Sequence, residues 1–278
     1  MTQRDHFGSA YIRDELHTVG DTLEQEVTAF LIGGGAMSLR NLKDTTKDID
    51  LVITTDEEYK YLLAALMELG YEEVTDLGDN YRELGARLCV RNDDGCQIDL
   101  FNRQVANKLV FSDGMRARSE AFLTREPLSI HLTAFEDIFL FKAVAQRPDD
   151  IDDMATLVQT GLAFDTVEAE LDAQAELLGS DLFVTYISGS LDQLEERHGI
   201  QTPLDEVVFE RHTRYMNELE VRMELDEDDP TPIAELADEL ALDRDTVKER
   251  VARLEEHGLV RRTPDGVVDT GKRDWFDN

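Results

Sequence analysis

Two aspartates separated by one residue are the first side chains in this sequence whose type and spacing indicate chemistry. Asp48 and Asp50 lie in the segment Asp-Ile-Asp-Leu-Val, where polar and apolar residues alternate. Because side chains alternate between the faces of a strand, both carboxylates are expected on one face. Neighbouring carboxylates repel unless a cation lies between them, and Mg²⁺ commonly binds one or two carboxylates together with substrate phosphates. Asp99 lies between two apolar residues of a later segment, and it joins the pair if the two strands are neighbours.

Three consecutive glycines precede the aspartates, in the segment Ile-Gly-Gly-Gly-Ala-Met at 32–37. Residues 27–37 are expected to form a buried strand or a helix end that runs into a glycine turn. Glycine lets the backbone approach a phosphate closely, and a following helix N-terminus favours the negative charge. A glycine run alone usually marks a flexible turn, and an Asp-x-Asp pair in so acidic a chain usually lies at the surface. Together the two signals favour a nucleotide site with a divalent cation, Mg²⁺ or Mn²⁺.

The elements that must position these residues are predicted from alternation, helical spacing and turn residues. The polar stretch Asn92–Gly95 is expected to be the turn of a hairpin. Residues 1–30 are predicted to be helical, and 104–127 carry no clear pattern. Predicted strands span 48–54, 71–77, 85–91, 96–101 and 128–132, and predicted helices span 56–69, about 133–146, 149–160 and most of 161–225.

Composition limits the class of protein. The chain has 278 residues, enough for two or three domains, and its 61 acidic and 28 basic residues give a net charge of −33. This charge excludes a generally basic nucleic-acid coat protein and argues against docking on an anionic membrane. The acids are spread along well-patterned segments, which is typical of proteins from a high-salt, halophilic cytoplasm where self-repulsion is screened. With no apolar run of membrane-spanning length, no signal peptide and two cysteines, a soluble cytoplasmic protein is expected.

The glycines and aspartates together resemble the signature of the polymerase-β-type minimal nucleotidyltransferases. Gly33-Gly34 is followed after thirteen residues by Asp48 and Asp50, and Asp99 comes on a later strand. The resemblance implies that Asp48 and Asp50 hold two metal ions on a nucleoside triphosphate, with Asp99 as a third ligand or base. It also implies that the two glycines shape the phosphate loop.

Two neighbouring positions complete this comparison with the polymerase-β-type enzymes. Thr46, two residues before the first aspartate, fits the polar residue that the family carries there. Relatives often have an arginine where this chain has Asp44, and the adjacent Lys43 is expected to take over its contact with the triphosphate.

A later segment is similar to the nucleotidyltransferases grouped with the AbiEii and MenT toxins. A helix with the sequence Glu-Asp-Ile-Phe-Leu-Phe-Lys is followed by an Arg-x-x-Asp-x-x-Asp element, and the similarity covers residues 28–160. The resemblance implies a role in the nucleotide site for Lys142, Arg147, Asp150 and Asp153. Two simpler interpretations stay open: a lysine whose ammonium extends to solvent, and an ion-pair cluster at a helix start.

The C-terminal residues have the pattern of a separate small domain. Thr231-Pro232 is expected to begin a helix, Asp243 or Asp245 to cap a second one, and residues 261–268 to form a hairpin. Helix, turn, helix and hairpin is the order of a winged helix-turn-helix, and the sequence is similar to archaeal winged-helix regulators. Predicted DNA contacts on the second helix and the wing are Arg244, Thr246, Lys248, Arg250, Arg253, Arg261 and Arg262.

The predicted fold class is α+β, with three regions. A polymerase-β-like nucleotidyltransferase domain of mixed sheet and flanking helices spans 1–160, a helical region spans 161–227, and a winged helix-turn-helix spans 228–278. The predicted function is metal-dependent transfer of a nucleotide from an NTP to tRNA or protein, in a toxin- or defence-like role. The alternative is a non-enzymatic DNA-binding regulator that uses the nucleotidyltransferase fold to sense nucleotide or to dimerise. Expected partners are an NTP, the acceptor, DNA and a second copy of the chain, but no membrane.

Overall fold

A mixed seven-stranded sheet forms the centre of the larger part of the molecule. The computed structural model describes residues 6–75 and 85–272. The sheet strands are β2 (Val27–Ile32), β4 (Asp48–Ile53), β5 (Glu72–Glu73), β6 (Leu88–Arg91), β7 (Gln97–Asn102), β10 (Glu120–Arg125) and β11 (Leu128–Leu132). Their spatial order is β10-β11-β2-β4-β7-β6-β5, so β4 lies in the middle. It pairs parallel with β7 and antiparallel with β2.

Short strands and helices surround this sheet. Two short strand pairs join β1 (Phe7–Gly8) to β3 (Thr45–Thr46) and β8 (Gln104–Val105) to β9 (Leu109–Val110). Helices α1 (Ser9–Thr22), α2 (Gly33–Leu39) and α3 (Asp56–Glu68) pack on one another and on the central strands. The short helix α4 (Asp113–Arg118) leads into β10.

Five further helices complete the larger core. They are α5 (Phe135–Ala145), α6 (Pro148–Gln159), α7 (Phe164–Leu178), α8 (Leu182–His198) and α9 (Leu204–Met223). Their apolar faces join the sheet in one cluster of buried residues that runs from Phe7 to Val208. The helical middle of the chain therefore packs as part of the body. None of the helices in the described ranges is long and apolar enough to cross a membrane.

A second, smaller core forms at the C-terminal end. It contains α10 (Ile233–Glu239), α11 (Arg244–Glu256), β12 (Val260–Arg262) and β13 (Val267–Asp269). Val221, near the end of α9, is buried in this core, and Leu225 packs against it. Thus α9 contributes apolar side chains to both cores.

The predicted α+β class, the mixed sheet and the winged helix-turn-helix are confirmed, and the hairpin at Asn92–Gly95 joins β6 to β7. The three predicted domain boundaries stay a prediction. Of the predicted helix over 1–30, residues 9–22 are helical and 27–32 form β2, because a short apolar run has no period that separates strand from helix. Residues 1–5, and positions 76 and 77 of the predicted strand 71–77, lie outside the described residues, as do 273–278 of the predicted C-terminal domain.

The predicted glycine turn coincides with the start of α2, because Gly33 adopts a positive φ of 62° that redirects the chain from β2 into the helix. One local prediction is wrong in detail. Thr231 does not cap α10. Its backbone pairs with Val267 of the wing in both directions, at 2.9 and 2.8 Å, and Pro232 takes the N-cap position.

Candidate functional site

The three predicted catalytic aspartates lie on one face of the sheet, at adjacent positions of two neighbouring strands. In the parallel pairing of β4 with β7, Asp48 is opposite Gln97 and Asp50 is opposite Asp99. Residues opposite each other in a ladder point to the same face, and so do residues two apart along a strand. Asp48, Asp50 and Asp99 are therefore brought together, and we call them the carboxylate triad.

The carboxylate triad carries its negative charge in a poorly hydrated place. Asp99 is 1% exposed, and its Oδ1 accepts a hydrogen bond of 2.7 Å from Gln97 Nε2. By geometry its buried Oδ2 has no hydrogen-bond partner among the described residues, although a side-chain hydrogen bond from the Cys89 thiol to this carboxylate lowers the pKa of Asp99. Burial, followed by the charges of Asp50 and Asp48, raises the pKa of Asp99 to about 8. Burial and the charge of Asp48 likewise raise the pKa of Asp50 to about 6.

The two predicted loop glycines lie directly against this site. A Cβ on Gly33 would collide with Oδ2 of Asp50, and a Cβ on Gly34 would lie 2.6 Å from Oγ1 of Thr46. Thr46 Oγ1 in turn donates a hydrogen bond of 3.0 Å to the carbonyl oxygen of Asp48. Only glycine therefore allows β2 and α2 to approach the triad strand this closely.

The other predicted nucleotide-site residues form a dense group of ion pairs, which we call the ion-pair cluster: Lys43, Lys142, Arg147, Asp150 and Asp153. Lys142 Nζ lies 2.6 Å from Asp150 Oδ1 and 2.8 Å from Asp153 Oδ2. Lys43 Nζ lies 2.8 Å from both oxygens of Asp153. Arg147 Nε donates to Asp150 Oδ2 over 2.7 Å. Three cations thus share two carboxylates.

Burial alone lowers the pKa of Lys142, but the Asp150 and Asp153 carboxylates outweigh burial and raise it. Burial raises the pKa of Asp150, but Lys142 and Arg147 outweigh it and hold that pKa below its usual range. Lys142 is 6% exposed, so its ammonium does not extend to solvent as the simpler interpretation predicted. The other simple interpretation, an ion-pair cluster at a helix start, describes the observed contacts, because Arg147 and Asp150 also form the N-terminal capping box of α6.

The ion-pair cluster lies beside the carboxylate triad. The charges of Arg147, Lys142 and Asp150 all act on the pKa of Asp50. A net positive group next to a net negative group is the arrangement that a metal–triphosphate complex needs, because its metal seeks carboxylates and its phosphates seek cations. Lys43 is the more accessible of the two lysines, with a third of its side chain exposed.

Two protein-family models match this chain. The family model described as a nucleotidyltransferase of unknown function (DUF6036) matches residues 11–181. The chain belongs to this nucleotidyltransferase family. A model of the MarR family matches residues 215–266, which contain the winged helix. No curated protein matches the chain. The predicted fusion of a nucleotidyltransferase domain to a winged-helix DNA-binding domain is therefore confirmed.

The carboxylate triad of this DUF6036 member fits a divalent cation by the chemistry of its donors. Its carboxylates are hard oxygen ligands, and Oδ2 of Asp99 has no hydrogen-bond partner by geometry within the described part of the chain. Within residues 6–75 and 85–272, no group of three or more His, Cys, Asp or Glu side chains is arranged so that it alone could hold a metal ion. A divalent cation at the triad would therefore need further ligands from phosphate and water, as Mg²⁺ commonly takes.

The MarR-type winged helix presents some of its predicted DNA contacts and turns others inward. Arg244 and Arg261 are exposed and make no ion pair with any described residue. Lys248 and Arg262 are exposed beside acids, with nitrogen–oxygen distances of 2.8 Å to Asp245 and 3.1 Å to Glu255. The hydroxyl of Thr246 donates to the N-cap residue Asp243.

Arg250 and Arg253, the other two predicted DNA contacts, lie instead between α11 and α9. Arg250 Nη1 donates to the carbonyl oxygen of Asn217 over 3.1 Å and lies 3.3 Å from Glu220. Arg253 Nε donates to Glu218 over 2.6 Å. Both arginines link the recognition helix to α9; Arg250 is buried in this contact, whereas Arg253 keeps 40% of its side chain exposed.

Sequence reasoning missed the polar residues that flank Asp99 in the nucleotidyltransferase domain. Gln97 is 1% exposed and contacts Asp99, while Arg91 and Cys89 are opposite Gln97 and Asp99 in the β6–β7 pairing. The signal was present for Gln97, because it lies two residues before Asp99 and so shares its face of the strand.

Proposed function

We propose that this protein is a metal-dependent nucleotidyltransferase that moves a nucleotide from an NTP to a hydroxyl-bearing acceptor. The observation that carries the proposal is the register of Asp50 with Asp99, which leaves a buried carboxylate oxygen unpartnered beside two further carboxylate groups. Burying a polar atom without a hydrogen-bond partner costs folding free energy, so its retention favours a function.

In this proposal the carboxylates bind the metal ions and the basic side chains bind the phosphates. Asp48 and Asp50 would hold Mg²⁺ or Mn²⁺, which when bound neutralises triphosphate charge and aligns the phosphate for in-line displacement. Gly33 and Gly34 let the start of α2 approach Asp50 and Thr46 closely, and Lys43 and Lys142 would be the cations for the phosphates. Asp99 would complete the metal site or take the proton of the acceptor hydroxyl at Oδ2.

The acceptor class comes from the resemblance to the AbiEii and MenT group, which points to tRNA or protein and to a toxin- or defence-like role. Transfer of label from each α-labelled NTP to total tRNA, cell protein and the protein itself, in molar KCl with Mg²⁺ or Mn²⁺, tests the proposal. We expect label with the native chain and at least a 100-fold loss, on the order seen for altered metal sites, in the Asp48→Asn, Asp50→Asn double variant.

Asp149→Asn is the matched control, because Asp149 is an exposed aspartate whose partner is Lys47, at 3.3 Å. It should transfer label like the native chain. Absence of transfer with every NTP and acceptor, alongside retained nucleotide binding, would favour the second candidate, a non-enzymatic DNA-binding regulator. The MarR-type winged helix and its exposed Arg244 and Arg261 specifically support DNA binding.

A second copy of the chain is the partner that the outer face of α9 supports. Phe209, Met216 and Met223 are 68%, 41% and 75% exposed and recur every seven residues, so they lie along one stripe of the helix. Light scattering coupled to size exclusion should show a dimer, and Met216→Glu should shift it toward monomer. A monomeric native chain at micromolar concentration contradicts this part of the proposal.

A further inference from the structure

Six side chains on three adjacent strands form a two-row array on the site face of the sheet. The first row is Asp48 on β4, Gln97 on β7 and Arg91 on β6, and the second row is Asp50, Asp99 and Cys89. Each row follows from ladder register, and the rows are two residues apart on every strand. The array therefore extends the site face beyond the triad, across β7 to Arg91 on β6.

Two hydrogen bonds link three side chains of this array, each donated by the side chain nearer to Arg91. Arg91 Nη2 donates to Gln97 Oε1 over 2.7 Å, and Gln97 Nε2 donates to Asp99 Oδ1 over 2.7 Å. A guanidinium has donors only, so it selects the amide oxygen of Gln97 and turns the amide nitrogen toward Asp99. The orientation of the amide is thus set by chemistry on both of its sides.

The consequence falls on the two oxygens of Asp99. Oδ1 is held by Gln97, while Oδ2 meets no donor at hydrogen-bond geometry among the described residues. The thiol of Cys89, opposite Asp99 on β6, is a weak donor that lowers the pKa of Asp99 and would make way for a cation. A carboxylate held at one oxygen cannot rotate freely, so its other oxygen keeps one position. Gln97 and Asp99 are both 1% exposed, which means that water does not compete for this contact.

We propose that the Arg91–Gln97 pair is a positioning device that fixes the third carboxylate of the site and presents Asp99 Oδ2 to the bound divalent cation. Gln97 touches neither substrate nor metal and acts through Asp99. This inference rests on the proposed function, because it assumes that the carboxylate triad binds a cation. It adds that the geometry of the third ligand is imposed by residues outside the triad.

Binding of Mn²⁺ alone to the full-length protein, followed by electron paramagnetic resonance, tests the device without any catalytic assay. Loss of a residue that orients a metal ligand typically weakens affinity by about 10- to 100-fold, so we expect a loss in that range for Gln97→Leu. Gln174→Leu is the matched control, because Gln174 is also a buried glutamine but bonds the backbone of Val110 and the side-chain carboxylate of Glu170. It should bind Mn²⁺ like the native chain.

Variants of Arg91 keep the test decisive if Gln97→Leu does not fold. Arg91 is only half-buried, so Arg91→Met is expected to fold while it frees the Gln97 amide to turn. It should weaken Mn²⁺ binding, and Arg91→Lys, which keeps a donor-only group, should restore most of it. In transfer assays both weakening variants should lower kcat and leave KM for the NTP unchanged.

The outcomes separate this inference from the function on which it rests. If the native chain binds Mn²⁺ and the folded Gln97→Leu and Arg91→Met variants bind it equally well, the positioning role is wrong and the triad site stands. If the native chain binds no Mn²⁺ while nucleotide binding persists, the metal-dependent function is wrong and the positioning role falls with it.

Discussion

The carboxylate triad and the ion-pair cluster lie next to each other, and the pKa values of their buried aspartates are shifted in opposite directions. In the ion-pair cluster every carboxylate has at least two cationic neighbours, and the pKa of Asp150 is held below its usual range. In the triad the carboxylates face one another, and the pKa values of Asp50 and Asp99 rise to about 6 and about 8. The ion-pair cluster therefore keeps its carboxylates ionised, whereas burial and the neighbouring carboxylates favour the protonated form of Asp99 in the metal-free triad.

The largest expected effect comes from removing a cation from the ion-pair cluster. Lys142→Met leaves Asp150 and Asp153 buried with one cationic partner fewer each, and such a break typically costs about 3–5 kcal/mol of unfolding free energy. Denaturant unfolding measures it. Lys47→Met, which breaks the exposed pair with Asp149, should change stability by less than about 1 kcal/mol. Equal effects of the two variants would show that the ion-pair cluster does not support the fold.

In the triad, removing a charged group is expected to raise the unfolding free energy instead of lowering it. An aspartate with a pKa raised in the folded state binds more protons folded than unfolded between about pH 4, the ordinary Asp value, and about pH 8. The unfolding free energy of the metal-free protein therefore falls as pH rises through this window. Asp99→Asn removes that loss, so the Tm in EDTA should rise by several degrees at pH 8.5 and by less at pH 4.5. A variant that is destabilised equally at both pH values would contradict the raised pKa of Asp99.

The smallest expected effects are in the winged helix, where exposed arginines without an ion pair are compared with one that is paired. Arg244→Ala and Arg261→Ala each remove an exposed arginine and should weaken DNA binding severalfold, with the salt slope reduced by about 1 for each phosphate that is no longer neutralised. Arg253→Ala removes an arginine already paired with Glu218, so it should leave the salt slope unchanged and lower the stability of the domain. Fluorescence anisotropy across a salt series measures both. An unchanged slope for Arg244→Ala would show that this side chain contacts no phosphate.

Much of the site was predictable because it follows from strand periodicity. The spacing of Asp48 and Asp50 and the position of Asp99 between apolar residues set which face they share. Strand adjacency and register were not predictable, since no local pattern shows that β4 pairs with β7 or that Asp50 is opposite Asp99. The contacts of Lys43 with Asp153 join residues far apart in the chain, so the sequence could not show them.

In the winged helix, the sequence indicates the buried position of one arginine but not the pairing of another. Arg250 follows Val247 by three residues and precedes Leu254 by four, so it shares the buried face of α11 with them. That spacing alone indicates an inward arginine. Arg253 carries no such signal, because its inward position depends on Glu218 of α9, an element that also belongs to the larger core.

Helix α9 is a rigid connection between the two hydrophobic cores. Its 20 residues span about 30 Å at 1.5 Å per residue, with Val208 anchored in the body and Val221 in the C-terminal core. Arg222 further ties the helix to Asp269 of the wing over 2.9 Å. A protein that docks on DNA through the winged helix would thus carry the carboxylate triad at a set distance and bearing from the duplex. If the domain transfers nucleotides as proposed, that fixed distance would also limit which acceptors it can reach.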